Sequence, residues 1–170
     1  MRSKADGRIK AIAGMIRGEI IADVGSDHAY LPIWLYLNNK IKKAYAVDIS
    51  ENCVNRIKKN IKKYNISEDI IIPVLSDGLT KINDFDKISD IIIAGMGGET
   101  IAGILEKAQT PAVCGRHPLS KGGLNYILQP NSKIKFLREF LHNNDFEIIQ
   151  DIIVESKKRF YTIINAYKRL

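Results

Sequence analysis

The stretch Glu19-Ile-Ile-Ala-Asp-Val-Gly-Ser-Asp-His-Ala-Tyr-Leu-Pro32 is the most informative in the chain. Its four apolar residues, interrupted only by Asp23, read as a short buried strand. Gly25 permits the sharp turn that a strand-to-helix transition needs. The apolar, aromatic run over residues 29–37 then reads as a helix pressed on a sheet, with Pro32 confined to its first turn. An acidic turn in this place suits a nucleoside ligand carrying hydroxyls and a cation. It suits a pyrophosphate poorly, because Asp23 and Asp27 would repel one.

Upstream, Ile9, Ile12, Ala13 and Ile16 recur at helical spacing and predict a short helix near residues 8–16. Downstream, Lys43–Ile49 is a second strand ending in Asp48. Ser50 is placed to cap a helix whose stripe is Cys53 or Val54, Ile57, Ile61 and Tyr64, and whose other faces carry Arg56 and lysines. A third strand, residues 69–75, closes at Ser76-Asp77-Gly78. A fourth, Ser89–Ala94, runs straight into Gly95-Met96-Gly97-Gly98 and a helix over 99–107. Residues 109–123 read as irregular. Strand five covers 124–129, Pro130-Asn131-Ser132 a break, and 133–143 a helix. Residues 146–155 and 160–167 make a terminal hairpin around the turn Ser156–Arg159. Strands and helices in this alternation predict an α/β fold with a mostly parallel sheet, helices on both faces and a C-terminal hairpin.

The length of 170 residues fits one domain. No apolar run is long enough to cross a bilayer, and the basic start lacks a signal-peptide core. Cys53 and Cys114 have neither CxxC nor paired-His spacing, which predicts reduced thiols in a cytoplasmic protein without a metal site. A formal charge of +7 and a pI near 9.4 are compatible with a polyanionic partner and equally with a solvated basic surface.

In an open α/β sheet the ligand lies outside the carboxyl ends of the strands. That edge receives residues 25–30, Asp48 and Ile49, Asp77 and Gly78, 95–98 and 129–131. The opposite edge receives Asn38–Lys43 and the 109–123 loop, so Cys114, Arg116 and His117 are expected far from the chemistry. Asp48, about twenty residues past the glycine turn, is placed to take both hydroxyls of a ribose. Asp77 could accept from an adenine amino group or simply belong to an Asp-Gly turn. The glycines after strand four forgo side chains where backbone can approach a bulky ligand. His28 is either a polar contact to that ligand or a satisfied histidine at a helix start.

These residues carry a resemblance. The spacing of Asp23, Gly25, Asp48, Asp77-Gly78 and the later glycine turn resembles class I S-adenosylmethionine-dependent methyltransferases. The wording of Ile21-Ala-Asp-Val-Gly-Ser-Asp-His-Ala-Tyr-Leu-Pro32, Ile93-Ala-Gly-Met-Gly-Gly98 and Ile127-Leu-Gln-Pro-Asn131 resembles the bacterial tRNA (adenine-22-N1)-methyltransferases, the TrmK family. The likeness covers essentially the whole chain. It implies a Rossmann-like, seven-stranded sheet with the last strand antiparallel beside strand five, and S-adenosylmethionine as cofactor. It implies Gly25, Asp27, His28 and Tyr30 around the methionine part, with Asp23 in the same site. Asp48 and Ile49 would hold the ribose and Asp77 and Gly78 the adenine, while Ala94, Gly95, Met96 and Gly97 would separate cofactor from target base. Asp27 and Ala29 stand where the broader class prefers glycine. The family carries a further C-terminal helical domain, so residues 1–170 are expected to be the catalytic domain without it.

Adenine N1 attacks with its own lone pair, so transfer needs positioning and electrostatics more than a general base. The product ring is cationic, which nominates Asp27 and carbonyls near Gly95 and Met96 as acceptors. Gln129 and Asn131 are placed to bond the base edge. The expected tRNA track comprises Arg2, Lys4 and Arg8; Lys133 and Lys135; and Lys157, Lys158 and Arg159. Two other readings stay open: a class I methyltransferase for another RNA, a protein or a small molecule, and a non-catalytic tRNA-binding module that keeps the cofactor pocket. An NAD oxidoreductase is disfavoured by the missing glycine spacing in residues 25–30. Neither a membrane partner nor an oligomeric state is indicated.

Overall fold

The computed structural model describes residues 6–82, 85–108 and 123–168. Arg2, Lys4, Cys114, Arg116 and His117 lie outside them. The elements run α1 (Gly7–Met15), β1 (Ile20–Val24), α2 (Tyr30–Leu37), β2 (Lys43–Asp48), α3 (Glu51–Lys63), β3 (Ile71–Leu75), a 3-10 turn (Phe85–Lys87), β4 (Asp90–Gly97) and α4 (Gly98–Ala108). They continue with β5 (Leu124–Ser132), α5 (Ile134–Asn143), β6 (Phe146–Ser156) and β7 (Arg159–Lys168). The seven strands form one sheet in the order β3-β2-β1-β4-β5-β7-β6. β1 to β5 pair in parallel, and β7 is antiparallel to both β5 and β6. This is the expected mostly parallel sheet with its terminal hairpin.

Alternation along the central strands builds two cores. Ile91 and Ile93 of β4 point to one face, where Ile101, Leu105, Leu137 and Leu141 of α4 and α5 cover them. Ile92 points to the other, under Ile12, Ile33, Ile57 and Ile61 of α1 to α3. A strand buried on both sides must be apolar throughout, which is why residues 91–93 are three consecutive isoleucines.

A buried polar cluster fixes the edge away from the ligand. The Asp90 carboxylate, fully buried, accepts from Arg17 N and Gly18 N at 2.9 Å each, from Ser89 Oγ at 2.7 Å and from Asn125 Nδ2 at 2.6 Å. Asn165 Nδ2 in turn donates to Asn125 Oδ1 at 2.7 Å, so the cluster ties the end of α1 to β4, β5 and β7.

Three local expectations are corrected. Pro130-Asn131-Ser132 is not a break, and the strand before Gly95 does not stop at Ala94. Both strands continue, paired as Ala94–Gln129, Met96–Pro130 and Gly97–Ser132 with bulged registers between. Pro130 has no N–H to give the ladder, so a bulge is where it fits. Ser50 precedes α3 but makes no side-chain cap; the carboxylate of Asp48 takes the Ser50 N–H instead, at 2.9 Å.

Candidate active site

The parallel order brings the tips of β1, β2, β3, β4 and β5 to one edge, and the expected residues meet there. Pro32 lies in the first turn of α2, and Gly25 turns at φ +75°. A Cβ on Gly25 would stand 2.1 Å from Met96 Cε, so backbone and side chain from two strand tips cross at van der Waals distance. Two clefts open on either side of this crossing. One, of about 210 Å³, is walled by Asp23, Asp27, His28, Tyr30 and Ala94; the other, of about 360 Å³, by Asp48, Ile49, Asp77, Gly78, Met96 and Ile104. Gly25 lines both.

Asp48 spends one oxygen on Ser50 N and the other on Asp27 N, at 3.2 Å. An ionised carboxylate has about four lone-pair sites, so two remain for hydroxyl donors. Ile49 beside it is 70% exposed, a large apolar side chain at the lip of a cavity. Asp77 is paired with Lys107 of α4, and Gly78 turns at φ +70°.

Asp23 is only 6% exposed. Burial raises its carboxyl from the ordinary 3.8 to about 6, against the lowering effects of the 2.6 Å bond from Ser26 Oγ and the nearby Arg8. Asp27 behaves oppositely. Burial pushes its carboxyl up, but the hydrogen bond and charge of Arg56 and the charge of His28 hold it below the ordinary value. Its Oδ1 lies 2.5 Å from Arg56 Nη2 and its Oδ2 3.4 Å from His28 Nε2. The lone negative charge expected for Asp27 is therefore shared. Asp27 and Ala29 take the left-handed conformation, at φ 47° and 54°, which accounts for the class preference for glycine at both. His28 stacks on Tyr30 with ring centroids 5.1 Å apart.

The glycines at the end of β4 and the start of α4 serve different ends. Gly95 is at φ +81° with nothing near the position of a Cβ, whereas a Cβ on Gly98 would meet Lys133 O at 2.4 Å. Gly97 is next to Ser132, so of these three Gly95 is the one that offers bare backbone to open space. Its carbonyl accepts from Asn131 Nδ2 at 2.8 Å; Asn131 Oδ1 accepts from Gln129 Nε2 at 2.9 Å; Gln129 Oε1 accepts from Arg8 Nη1 at 3.2 Å. Gln129 is fully buried with both ends of its amide engaged, so the bond to a base edge expected of it goes instead to holding Asn131. Arg8, half-buried over the Tyr161 ring, spends one N–H donor on Gln129 and lines the smaller cleft.

Lys157, Lys158 and Arg159 emerge on the ligand edge, as the parallel run of β5 and β6 requires. Lys157 lies 3.7 Å from Asp6 at the start of α1. Lys133 faces Glu99 and Lys135 faces Glu139, each at 3.7 Å. Two site residues are not evident from the sequence: Arg56, one of several cations on α3, and Ser26, whose hydroxyl serves Asp23. The Arg56–Asp27 pair spans two elements and has no local signal, whereas Ser26 lies three residues from Asp23 within one turn. Among the described residues no group of three His, Cys, Asp or Glu side chains gathers to hold a metal, and no helix is long and apolar enough to cross a membrane.

A sheet of this order, with β7 antiparallel between β5 and β6 and acids at the tips of β1 and β2, defines a Rossmann-like class I methyltransferase domain. The profile of the methyltransferase domain family matches residues 5–164. The tRNA (adenine(22)-N(1))-methyltransferase of Bacillus subtilis strain 168 is 34% identical over 164 residues, 96% of this chain; the chain spans 65% of that relative's length. The crystal structure of B. subtilis TrmK superposes with a TM-score of 0.82 at 32% identity, covering 97% of this chain and 67% of that one. M. capricolum TrmK in complex with S-adenosyl-homocysteine superposes at 0.78 and 31% identity, covering 99% and 70%. The chain belongs to the methyltransferase domain family, in its TrmK-like group.

Proposed function

We propose that this chain is the catalytic domain of an S-adenosylmethionine-dependent tRNA methyltransferase that methylates N1 of adenine 22. The observation that carries the reading is the crossing of Gly25 and Met96, with a ribose-binding carboxylate on one side and an acidic, aromatic cleft on the other. A nucleoside joined to an amino acid needs both clefts and a bare turn between them. The cradle suits that cofactor, because any side chain at position 25 would fill it.

In this reading Asp48 takes the ribose hydroxyls, Ile49 and Ile104 bound the adenine, and Asp77 and Gly78 face its polar edge. Asp23, Asp27, His28 and Tyr30 surround the methionine end, whose ammonium the two carboxylates favour. S-adenosylmethionine supplies an electrophilic methyl group. The target ring lies against Gly95, where no side chain intervenes, and Asn131 orients the carbonyl there. Because Arg56 and His28 share the charge of Asp27, positioning of N1 in line with the methyl group supplies most of the rate. Lys157, Lys158, Arg159, Lys133 and Lys135 hold tRNA phosphates.

Radiolabelled methyl transfer to an unmodified tRNA transcript, followed by mapping of the modified base, tests this. Label at N1 of adenine 22 is expected. Label elsewhere, or on free metabolites only, overturns it.

A further inference from the structure

The Asn131 side chain that bonds Gly95 also borders a further cleft. This third cleft, of about 460 Å³, lies between Arg8, Asn131, Ile134, Arg159 and Phe160. Its inner wall is the asparagine that touches Gly95; its outer wall is the start of β7. Phe160 is 75% exposed, the most open large apolar side chain described, and it follows three successive cations. Among the described residues the side chains of Lys158 and Arg159 make no ion pair.

The turn that presents them is made at a cost. Lys157 and Lys158 both take the left-handed conformation, at φ 52° and 61°, in a two-residue hairpin connection that Asn-Gly fills with less strain. Two lysines at these positions place charge at the rim instead of relaxing the backbone. An exposed ring set among cations suits neither a protein core nor a plain solvated turn. It suits single-stranded nucleic acid, whose bases stack on aromatic faces while the backbone follows positive charge.

We infer that this cleft seats the nucleotide flanking the target base, with its base stacked on Phe160 and its phosphate held by Arg159 and Lys158. A target adenine must leave its helical stack to reach Gly95, and a neighbour held open in this way recovers part of that loss. The inference rests on the RNA-methylating reading, so its test includes a binding measurement that needs no catalysis.

Phe160→Trp places an indole at the rim; the one native tryptophan is Trp34, in α2. Titration with unmodified tRNA transcript is expected to quench the emission of the variant beyond that of the wild-type protein, and heparin, a polyanion without bases, is expected not to. Phe160→Leu is expected to raise KM for tRNA about tenfold, with S-adenosylhomocysteine affinity unchanged and Phe160→Trp near wild type. Equal quenching by heparin, no added quenching by tRNA, or a Phe160→Leu enzyme with wild-type KM overturns the stacking seat. Specific quenching without methyl incorporation by any form leaves the seat standing and overturns the catalytic reading instead.

Discussion

Met96 Cε lies where a side chain on Gly25 would begin, 2.1 Å from an ideal Cβ. The terminal methyl of Met96, at the tip of β4, thus rests over the bare position 25 at the tip of β1. Gly25→Ala meets two penalties: an L side chain at φ +75°, costing about 1–2 kcal/mol, and displacement of Met96 into the cleft beside it. The expected outcome is a folded protein whose affinity for S-adenosylhomocysteine falls at least about tenfold by calorimetric titration. Unchanged affinity would separate this crossing from the cofactor site.

Asp48 joins the two clefts, because its carboxylate also takes the backbone N–H of Asp27. Asp48→Asn keeps an acceptor for one backbone donor but loses the charge that strengthens bonds from hydroxyls. Such bonds are worth roughly 1.5–3 kcal/mol, so cofactor affinity is expected to drop about 10- to 100-fold with a small change in Tm. A variant that binds adenosine and its 2′,3′-dideoxy analogue as the wild type does would remove Asp48 from the ribose.

The buried Asp23 ties stability to pH. Its folded-state value of about 6 exceeds the ordinary 3.8, so between pH 4 and 6 the native state binds the extra proton, and stability falls as pH rises through that window. The total is roughly 3 kcal/mol, at about 1.4 per pH unit. Asp23→Asn, which still accepts from Ser26, escapes this. Denaturant unfolding at pH 4.5 and 7.5 should show Asp23→Asn gaining about 2 kcal/mol on the wild type between the two. A constant difference would refute the buried ionisation.

Asp90 answers four donors at the opposite edge of the sheet. Asp90→Ala strips the acceptor from Arg17 N and Gly18 N, while Ser89 Oγ and Asn125 Nδ2 keep Ile20 O and Met15 O; the loss is about 2–4 kcal/mol, which for this length lowers Tm by about 10 °C. Where the variant stays folded, S-adenosylhomocysteine affinity is expected to match wild type, since no cleft atom is touched.

Asn131 spans the bulge between β4 and β5. Asn131→Ala frees the Gly95 carbonyl and is expected to lower kcat about tenfold or more, with cofactor affinity within twofold. Loss of affinity in step with kcat would place Asn131 in the cofactor cradle instead.

Element type was legible wherever local chemistry decides it. Residues 91–93 announce a doubly buried strand, and Val54, Ile57 and Ile61 a helix stripe. The acids at strand tips were legible too, because topology sends every parallel strand end to one edge. Non-local partnerships were not. Nothing near Pro130 reveals that the strand continues through it, because the partner strand's bulge absorbs the missing donor. Likewise Gln129 reads as a base contact until Arg8, 121 positions away, takes its oxygen. Asp27 reads as a free charge until Arg56 of α3 pairs with it.

In the proposed function the two clefts around Gly25 form one pocket for S-adenosylmethionine. Calorimetric titration of the wild-type chain with S-adenosylhomocysteine, and separately with NAD, tests it most directly. One-to-one micromolar binding of the first, lost in Gly25→Ala, with no heat from the second, is the predicted result. No binding of S-adenosylhomocysteine at millimolar concentration by the folded chain would contradict it.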